Sequence, residues 1–152
     1  MRRPLWLLPL IVAAFGMSLT GCEEYVVTKH YGTLAEYEDH GWLPAELLPA
    51  SAHHITTIND LDINHSSGEF SFDPREAATF QAQLKPGAPT ESPYVNWNKT
   101  IKRHDRSGRK AWTHNDGGSL WVFFCDSDKG HCEYDMWSIV SSTAIPTPDA
   151  SS

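Results

Sequence analysis

The sequence predicts a small α+β domain: an antiparallel β-sheet of about four or five strands, two or three short helices and one disulfide-closed hairpin. Three observations lead to this prediction. Apolar and polar residues alternate at 53–63 and again at 69–73, which is typical of half-buried strands. A well-capped helix start stands at Asp73. Cys125 and Cys132 flank a polar turn between two apolar segments.

The N-terminus has the features of a signal peptide. Arg2 and Arg3 form a positive start, and an apolar run of about 13 residues follows at 5–17. A membrane-spanning helix needs roughly 20 apolar residues, so this run is too short to cross a bilayer. A basic start, a short apolar run and small residues at a cleavage site are typical of secretion signals. We therefore expect residues 1–21 to be a signal peptide.

Leu19-Thr20-Gly21-Cys22 resembles the lipobox of bacterial lipoproteins. The resemblance implies cleavage before Cys22 and the attachment of fatty acyl chains such as palmitate to this cysteine. Several acyl chains anchor a protein stably, because each buried methylene contributes about 0.8 kcal/mol. In lipoproteins of Gram-negative bacteria, an aspartate directly after the cysteine favours the inner membrane. Because Glu23 stands there, the resemblance implies a cell-envelope lipoprotein in the outer membrane, facing the periplasm.

The chain that remains after cleavage suits one domain. Removing 21 of the 152 residues leaves 131, a size typical of a single domain. We expect an anchor and tether at 22–32, a single domain at 33–140 and a disordered tail at 141–152. Without Arg2 and Arg3, 10 Lys and Arg stand against 19 Asp and Glu, a formal charge of −9. Nucleic acid repels such an acidic protein, so we expect no nucleic-acid partner.

The first half of the domain shows clear starts and stops. Thr33 and Glu36 form a capping box that predicts a short helix ending at Gly41, and Pro44 favours one further helical turn. In the strand at 53–63 the alternation places Ile55, Thr57, Leu61 and Ile63 on one side. A polar turn joins it to the strand at 69–73, which predicts a hairpin. Asp73, followed by Pro74, begins the most strongly capped helix, whose buried stripe consists of Ala77, Phe80 and Leu84.

The second half contains the apolar centre of the predicted sheet. A proline-rich stretch at 86–98 predicts an irregular loop, and a hydrophilic stretch at 99–118 contains one possible strand near 110–114. The segment at 119–125 carries apolar residues on both of its faces, as expected of a central strand that is covered on both sides. Residues 131–140 are its expected antiparallel neighbour.

The two remaining cysteines predict a structural disulfide. With Cys22 acylated, Cys125 and Cys132 are an even pair in an oxidising compartment. They would close a loop of eight residues, for which chain entropy predicts roughly 2.5 kcal/mol of stabilisation. A redox or catalytic pair is the alternative, although the spacing is not the Cys-x-x-Cys of redox motifs.

Basic residues are concentrated in one predicted loop, at 99–110. A solvated loop is one interpretation of this cluster. The other is a docking patch for an acidic partner or an anionic envelope polymer, in which Lys102, Arg103 and Arg106 are the candidate contacts.

Chemical motifs are weak throughout the chain. Asp60, Asp62 and Asn64 resemble the start of an EF-hand loop, but His65 stands where that loop needs glycine and Ser71 where it needs glutamate. A metal site would require His54, His65 and an acid to converge. Ser119 lacks the nucleophile-elbow pattern, because Trp121 replaces its last glycine. We therefore predict no catalytic residue, no bound metal and no cofactor.

Residues 41–72 resemble a pattern of small bacterial lipoproteins in which a Trp-Leu-Pro turn precedes Leu-Pro, Ser-Ala and an Asp-x-Asn strand. The resemblance implies a shared fold and no particular activity. Five tryptophans follow the signal peptide, and they supply either the core or an exposed platform that stacks on saccharides.

The sequence therefore favours a non-enzymatic envelope lipoprotein, held at the membrane by its lipid, that binds a protein or a cell-wall component. The alternative is a lipoprotein immunity or inhibitor protein against a periplasmic toxin or hydrolase, since acidity speeds encounter with a basic target. A third hypothesis, a periplasmic hydrolase or metal-binding protein, depends on convergence of His54 and His65.

Overall fold

The structure, a computed structural model, describes residues 25–38 and 40–139. The strands are β1 (Val26–Thr33), β2 (His53–Asp60), β3 (His65–Ser71), β4 (Lys85–Pro86), β5 (Lys110–Asn115), β6 (Ser119–Asp126) and β7 (His131–Ser138). The helices are α1 (Leu34–Tyr37), α2 (Ala77–Gln81) and α3 (Trp97–Arg106), with 3-10 turns at Ala45–Leu47 and Pro74–Glu76.

The strands form one antiparallel sheet in the order β1-β2-β3-β7-β6-β5-β4. The prediction of an antiparallel sheet with few short helices and one disulfide hairpin is confirmed. With seven strands, the sheet is larger than the four or five predicted, and the described chain is more sheet than helix.

The domain begins earlier than predicted. Residues 22–32 were expected to form a tether, yet β1 pairs with β2 from Val26 opposite Asp60 to Thr33 opposite His53. The tether prediction is therefore wrong from Val26 onward. Almost all side chains of β1 are exposed, so backbone pairing rather than burial holds this edge strand in place. A strand whose side chains are almost all exposed shows no alternation of apolar and polar residues in the sequence, so β1 could not be predicted from that pattern.

The predicted β2–β3 hairpin is confirmed, but its turn lies earlier, at residues 61–64 instead of the expected 64–68. Asp60 Oδ1 accepts a hydrogen bond from the Asp62 amide at 3.1 Å, and Asn64 adopts a left-handed φ of 49°. Both features end the strand at Asp60. Leu61 and Ile63 consequently lie exposed in the turn instead of continuing the buried side of the strand, and that part of the prediction is wrong.

The larger core lies on one side of the sheet, beneath α1, α2 and the first 3-10 turn. Its members include the residues that the sequence placed inside: Leu43, Leu47 and Leu48, then Phe70 and Phe72, then Ala77, Phe80 and Leu84. The predicted caps form as well. Thr33 Oγ1 accepts from the Glu36 amide at 3.4 Å, and Asp73 Oδ1 accepts from the Arg75 amide at 3.0 Å.

A second, smaller core lies on the opposite side, beneath α3. Trp97 packs there with Val122, Phe124 and Trp137, so β6 is covered on both sides as predicted. The expected loop at 99–106 is a helix, and that prediction is wrong. Trp97, Ile101 and His104 recur at helical spacing and face the sheet, a stripe obscured by the many charges between them.

Cys125 and Cys132 lie opposite each other in β6 and β7 and form the predicted disulfide. The signal peptide at 1–21, Cys22 and the tail at 141–152 lie outside the described residues. Within the described part of the chain, no helix has the length and hydrophobicity needed to cross a membrane.

Candidate functional site

The side of the sheet that carries α3 is only half covered. The helix packs over β5, β6 and Trp137 of β7, and the surface of β1, β2, β3 and the rest of β7 stays open beside it. Paired residues of neighbouring strands share a side of the sheet. One row across this surface therefore runs from Thr56 through Glu69 to Glu133, and the next from Ile58 through Ser67 to Asp135.

These two rows and one arginine of α3 enclose a depression of about 300 Å³. We call it the polar groove, and its side-chain lining is Thr56, Ile58, Ser67, Glu69, Arg103, Glu133 and Asp135. Hydroxyl and carboxylate groups dominate this surface. Three carboxylates and one guanidinium give the lining a net negative charge.

Glu133 connects the groove to the last turn of α3 and to the residues that follow this helix. Arg109 Nη1 contacts its Oε1 atom, while Arg103 Nη2 and His104 Nε2 lie 3.6 and 3.8 Å from its Oε2 atom. Burial by itself raises the pKa of the Glu133 carboxyl. The hydrogen bond from Arg109 and the nearby positive groups outweigh burial, so the pKa is held below its ordinary value.

His104 is the buried polar residue beneath this network. It is 2% exposed, and its ring stacks on that of Phe124 with centroids 3.9 Å apart. Burial lowers the pKa of His104 below its ordinary value, and the positive charges of Arg103 and Arg109 act in the same direction against the opposing effect of Glu133. His104 Nδ1 has no hydrogen-bond partner among the described residues.

The other two carboxylates of the groove each lie near a histidine. Glu69 Oε2 is 3.4 Å from His131 Nε2, and Asp135 Oδ1 is 3.5 Å from His65 Nε2. His131 Nδ1 in turn lies 3.3 Å from Arg109 Nη2. A chain of polar contacts thus runs from Glu69 through Arg109 to Glu133, and it fixes the side chains that line the groove.

The three basic residues predicted to contact a partner, Lys102, Arg103 and Arg106, are all exposed on α3. Arg103 lies at the groove, beside Glu133. Lys102 and Arg106 are exposed on α3, where Arg106 Nε donates to the Lys102 carbonyl at 3.1 Å. Arg103 therefore borders the acidic groove, while contact of the three residues with a partner stays a prediction.

The residues of the hypothetical metal site are apart. His54 lies at the start of β2, near His30 and Glu69, while His65 begins β3 opposite Asp60, at the other end of the same hairpin. The predicted condition that His54 and His65 converge is not met. In residues 25–38 and 40–139, no group of three His, Cys, Asp or Glu side chains is arranged to hold a metal ion.

The tryptophans supply the interior of the domain. Trp97, Trp121 and Trp137 are buried, and Trp42 and Trp112 are half-buried. The hypothesis that they form an exposed saccharide-stacking platform is therefore wrong. Each of these rings packs against one of the two cores.

The polar groove could not be predicted from the sequence. One sign of it was present, because Ser67, Glu69, Glu133 and Asp135 stand at alternate positions of strands whose other residues are apolar or small. Alternation shows that these residues share a side of a strand. It does not show that β3 and β7 are neighbours, which brings the residues together.

Residues 26–71 match the family model of the YbbD head domain. The matched segment contains β1, α1, β2 and β3 and so includes much of the groove floor. It overlaps the segment at 41–72 that resembles small bacterial proteins. Both observations suggest a family of small bacterial proteins. No curated protein and no solved structure matches the chain.

Proposed function

We propose that this protein is a lipoprotein of the cell envelope, anchored through Cys22, that works as a non-enzymatic binding module facing the periplasm. The signal-like N-terminus and the lipobox-like segment support the anchor. The polar groove supports the binding role and is the observation on which the proposal rests. A preorganised set of hydroxyls and carboxylates on a rigid sheet suits contact with a partner.

The charge of the groove indicates the chemistry of that partner. Glu69, Glu133 and Asp135 outnumber Arg103 and Arg109, the second of which contacts Glu133, so a basic protein segment or an amino group of a cell-wall component is electrostatically complementary. The partner therefore presents positive groups to the groove, whichever of these two classes it belongs to.

An immunity or inhibitor protein is the second candidate function. The same acidic groove favours it, because a negatively charged surface accelerates association with a basic toxin or hydrolase. Inhibition of a basic periplasmic enzyme by the protein, lost in Glu69→Lys, would favour this candidate over a structural binding role.

The anchor is tested by the Cys22→Ser variant of the full chain in a Gram-negative bacterium. We expect the unchanged protein to incorporate a palmitate analogue and to sediment with membranes, and the variant to do neither. Sedimentation without acyl incorporation would contradict the lipoprotein assignment.

The groove is tested by photo-crosslinking in the same cells. A photoreactive residue at Ser67, in the groove, is compared with one at Glu46, which is exposed on the opposite side of the sheet. We expect a discrete adduct from position 67 only, and its loss in Glu69→Lys. Equal adducts from both positions would refute the groove as the binding site. Lys102→Glu with Arg106→Glu tests the basic patch separately, and an unchanged adduct would exclude these two residues.

A further inference from the structure

The large exposed apolar side chains of the described residues are all at one end of the sheet. Six of them belong to β1, to the residue before it, to β2 and to the turn after β2: Tyr25, Val26, Val27, Ile58, Leu61 and Ile63. The other two are Val95 and Ile139. We call these eight residues the apolar end. Single exposed apolar residues are ordinary, but a group of this size marks an interaction surface.

Strand register shows that β1, β2, β3 and β7 meet at this end. Val26 pairs with Asp60, Asp60 with His65 and His65 with Trp137. The Leu61 amide also donates to the Tyr25 carbonyl at 3.1 Å. The β2–β3 turn and the first described residue therefore lie side by side.

The two remaining members join the same end from other segments. The Ile139 amide donates at 3.0 Å to the carbonyl of Gly118, in the β5–β6 turn. Val95 follows Tyr94, whose ring lies 4.9 Å from the His65 ring and 5.7 Å from the Trp137 ring. Segments far apart in the chain thus contribute to one apolar surface.

The opposite end of the sheet has a different character. The turn between β6 and β7 carries Asp126, Asp128 and Lys129, and none of the exposed large apolar residues described above lies there. Strands rise about 3.3 Å per residue, which puts the two ends roughly 25 Å apart. The molecule is therefore polarised along its strands.

The chain enters the domain at the apolar end. Tyr25 is three residues after Cys22, and three residues reach at most about 11 Å. If Cys22 carries acyl chains, as the proposed function holds, those chains enter a bilayer within this distance of Tyr25. A membrane is the surface nearest to the apolar end.

We infer that the apolar end is a membrane-contact surface that rests on a zwitterionic phospholipid bilayer. This inference depends on the proposed lipid anchor. Leu61 and Ile63, at 50% and 61% exposure, project from the turn, and Tyr25 supplies an aromatic ring of the kind that favours the membrane interface. The carboxylate of Asp62 lies between Leu61 and Ile63, so contact reaches the headgroup region and not the hydrocarbon centre.

Charge selects the type of lipid. Asp60 ends β2 at this end and Asp62 and Asp116 belong to its turns, whereas Lys29 lies in the middle of β1 and Lys129 at the opposite end. Anionic lipid attracts basic segments and repels acidic ones. A zwitterionic surface accepts the apolar side chains without that repulsion.

Contact at this end has a consequence for the polar groove. The strands then stand away from the bilayer, and the groove, which lies on a side of the sheet, faces along the membrane and stays open to a periplasmic partner. The lipid sets the distance from the membrane, and the apolar end sets the orientation.

The test uses the full chain, acylated in a Gram-negative bacterium, purified and added to preformed phosphatidylcholine vesicles. An environment-sensitive fluorophore is attached to Leu61→Cys or Ile63→Cys and, as the matched control, to Lys129→Cys in the opposite turn. Cys125 and Cys132 are bonded to each other, so the introduced thiol is the one that reacts. The intact mass reports acylation of Cys22 independently of the fluorescence.

We expect a blue shift and at least about two-fold less quenching by aqueous iodide at positions 61 and 63, with no change at position 129. Equal quenching at all three positions in the acylated protein would overturn the inference and leave the anchor intact. Protection of the fluorophore that requires phosphatidylglycerol would also overturn the inference. Protection that appears without vesicles as protein concentration rises would overturn it in favour of contact between copies of the protein. An unmodified Cys22 would refute the anchor and this inference together, and the mass alone would show it.

Discussion

Glu133 illustrates how one carboxylate organises a surface. It lies on the open side of β7, yet it contacts Arg109, Arg103 and His104, all from the segment that forms and follows α3. Removing one partner of such a network leaves the opposite charges without compensation, which costs more than the network contributes as a whole. Glu133 is therefore both a groove residue and an attachment point for α3.

The Glu133→Gln variant should lose about 1–2 kcal/mol of unfolding free energy at pH 7, because Arg109 loses its charged partner. The pKa of Glu133 is held below the ordinary 4.5. Its contribution is therefore present above about pH 4.5 and disappears as pH falls through the lower folded-state value. Urea unfolding at pH 7 and pH 3 measures both effects. Glu69→Gln, at a half-exposed carboxylate, is the control and should change stability by less than about 0.5 kcal/mol.

His104 predicts a second pH dependence at higher pH. Its folded-state pKa lies below the ordinary 6.5, so the unfolded chain binds a proton more readily and stability falls as pH drops below about 6.5. His104→Phe keeps the stacking on Phe124 and removes this proton uptake. Between pH 7 and 5 we expect the unfolding free energy of this variant to decline less steeply than that of the unchanged protein. The two slopes should differ by up to about 1.4 kcal/mol per pH unit. The exposed His40→Phe is the control, and an equal change there would refute the assignment to His104.

Among the elements, β3 shows why a central strand contains a glycine. A Cβ atom on Gly68 would lie 2.0 Å from the Thr56 carbonyl oxygen and 3.0 Å from Tyr134 Cε1. The register of β2 and β3 shifts between His53 and Thr56, next to the point where the Thr56 backbone lies over Gly68. Position 68 therefore tolerates no side chain without movement of the hairpin.

Gly68→Ala should destabilise the protein by about 2–3 kcal/mol, because the clash involves backbone that cannot move alone. Ser67→Ala, on the neighbouring residue of the same strand, should cost less than about 1 kcal/mol. Chemical denaturation of both variants measures the difference. Equal losses would mean that the hairpin relaxes around the new methyl group.

The β6–β7 hairpin depends on its disulfide. Cys125 and Cys132 are directly paired and buried. The double variant Cys125→Ala with Cys132→Ala should lose roughly 2.5 kcal/mol, the chain-entropy value for an eight-residue loop. Thermal unfolding in the presence and absence of reductant gives the matched control, since reductant should destabilise the unchanged protein and leave the double variant unaffected. A double variant as stable as the oxidised protein would contradict a structural role.

At the scale of the whole molecule, the two edges of the sheet differ. The β4 edge has two residues, one of them Pro86, which blocks further pairing. The strand at the other edge, β1, has eight residues and pairs with β2. The side chains of β1 bury little, but its backbone pairs with the full length of its neighbour.

A fragment that begins at residue 33, the predicted boundary, lacks β1 and should lose at least about 2 kcal/mol relative to a fragment of residues 25–140, because β2 then becomes an exposed edge. The 25–140 fragment, which keeps all seven strands, is the control. Thermal unfolding of both fragments measures the effect. Equal melting temperatures would mean that β1 contributes nothing to the domain and that the predicted tether was the better description.

The sequence by itself determined the features that local residues control. The caps at Thr33 and Asp73 need only neighbours within four positions, and a hairpin disulfide needs only two cysteines that flank a turn. Apart from Ser119, the strand at 119–125 is apolar, so its central place follows from composition. Each of these predictions is confirmed because the chemistry that decides it lies within one short segment.

Only the tertiary structure decided the rest. The pairing of β1, the helical form of residues 99–106 and the exposure of Leu61 and Ile63 depend on which distant segment lies alongside. The polar groove exists because β3 and β7, more than 60 residues apart, are neighbours in the sheet. Contacts between residues distant in sequence leave no local pattern, since backbone pairing and burial depend on the partner and not on the segment itself.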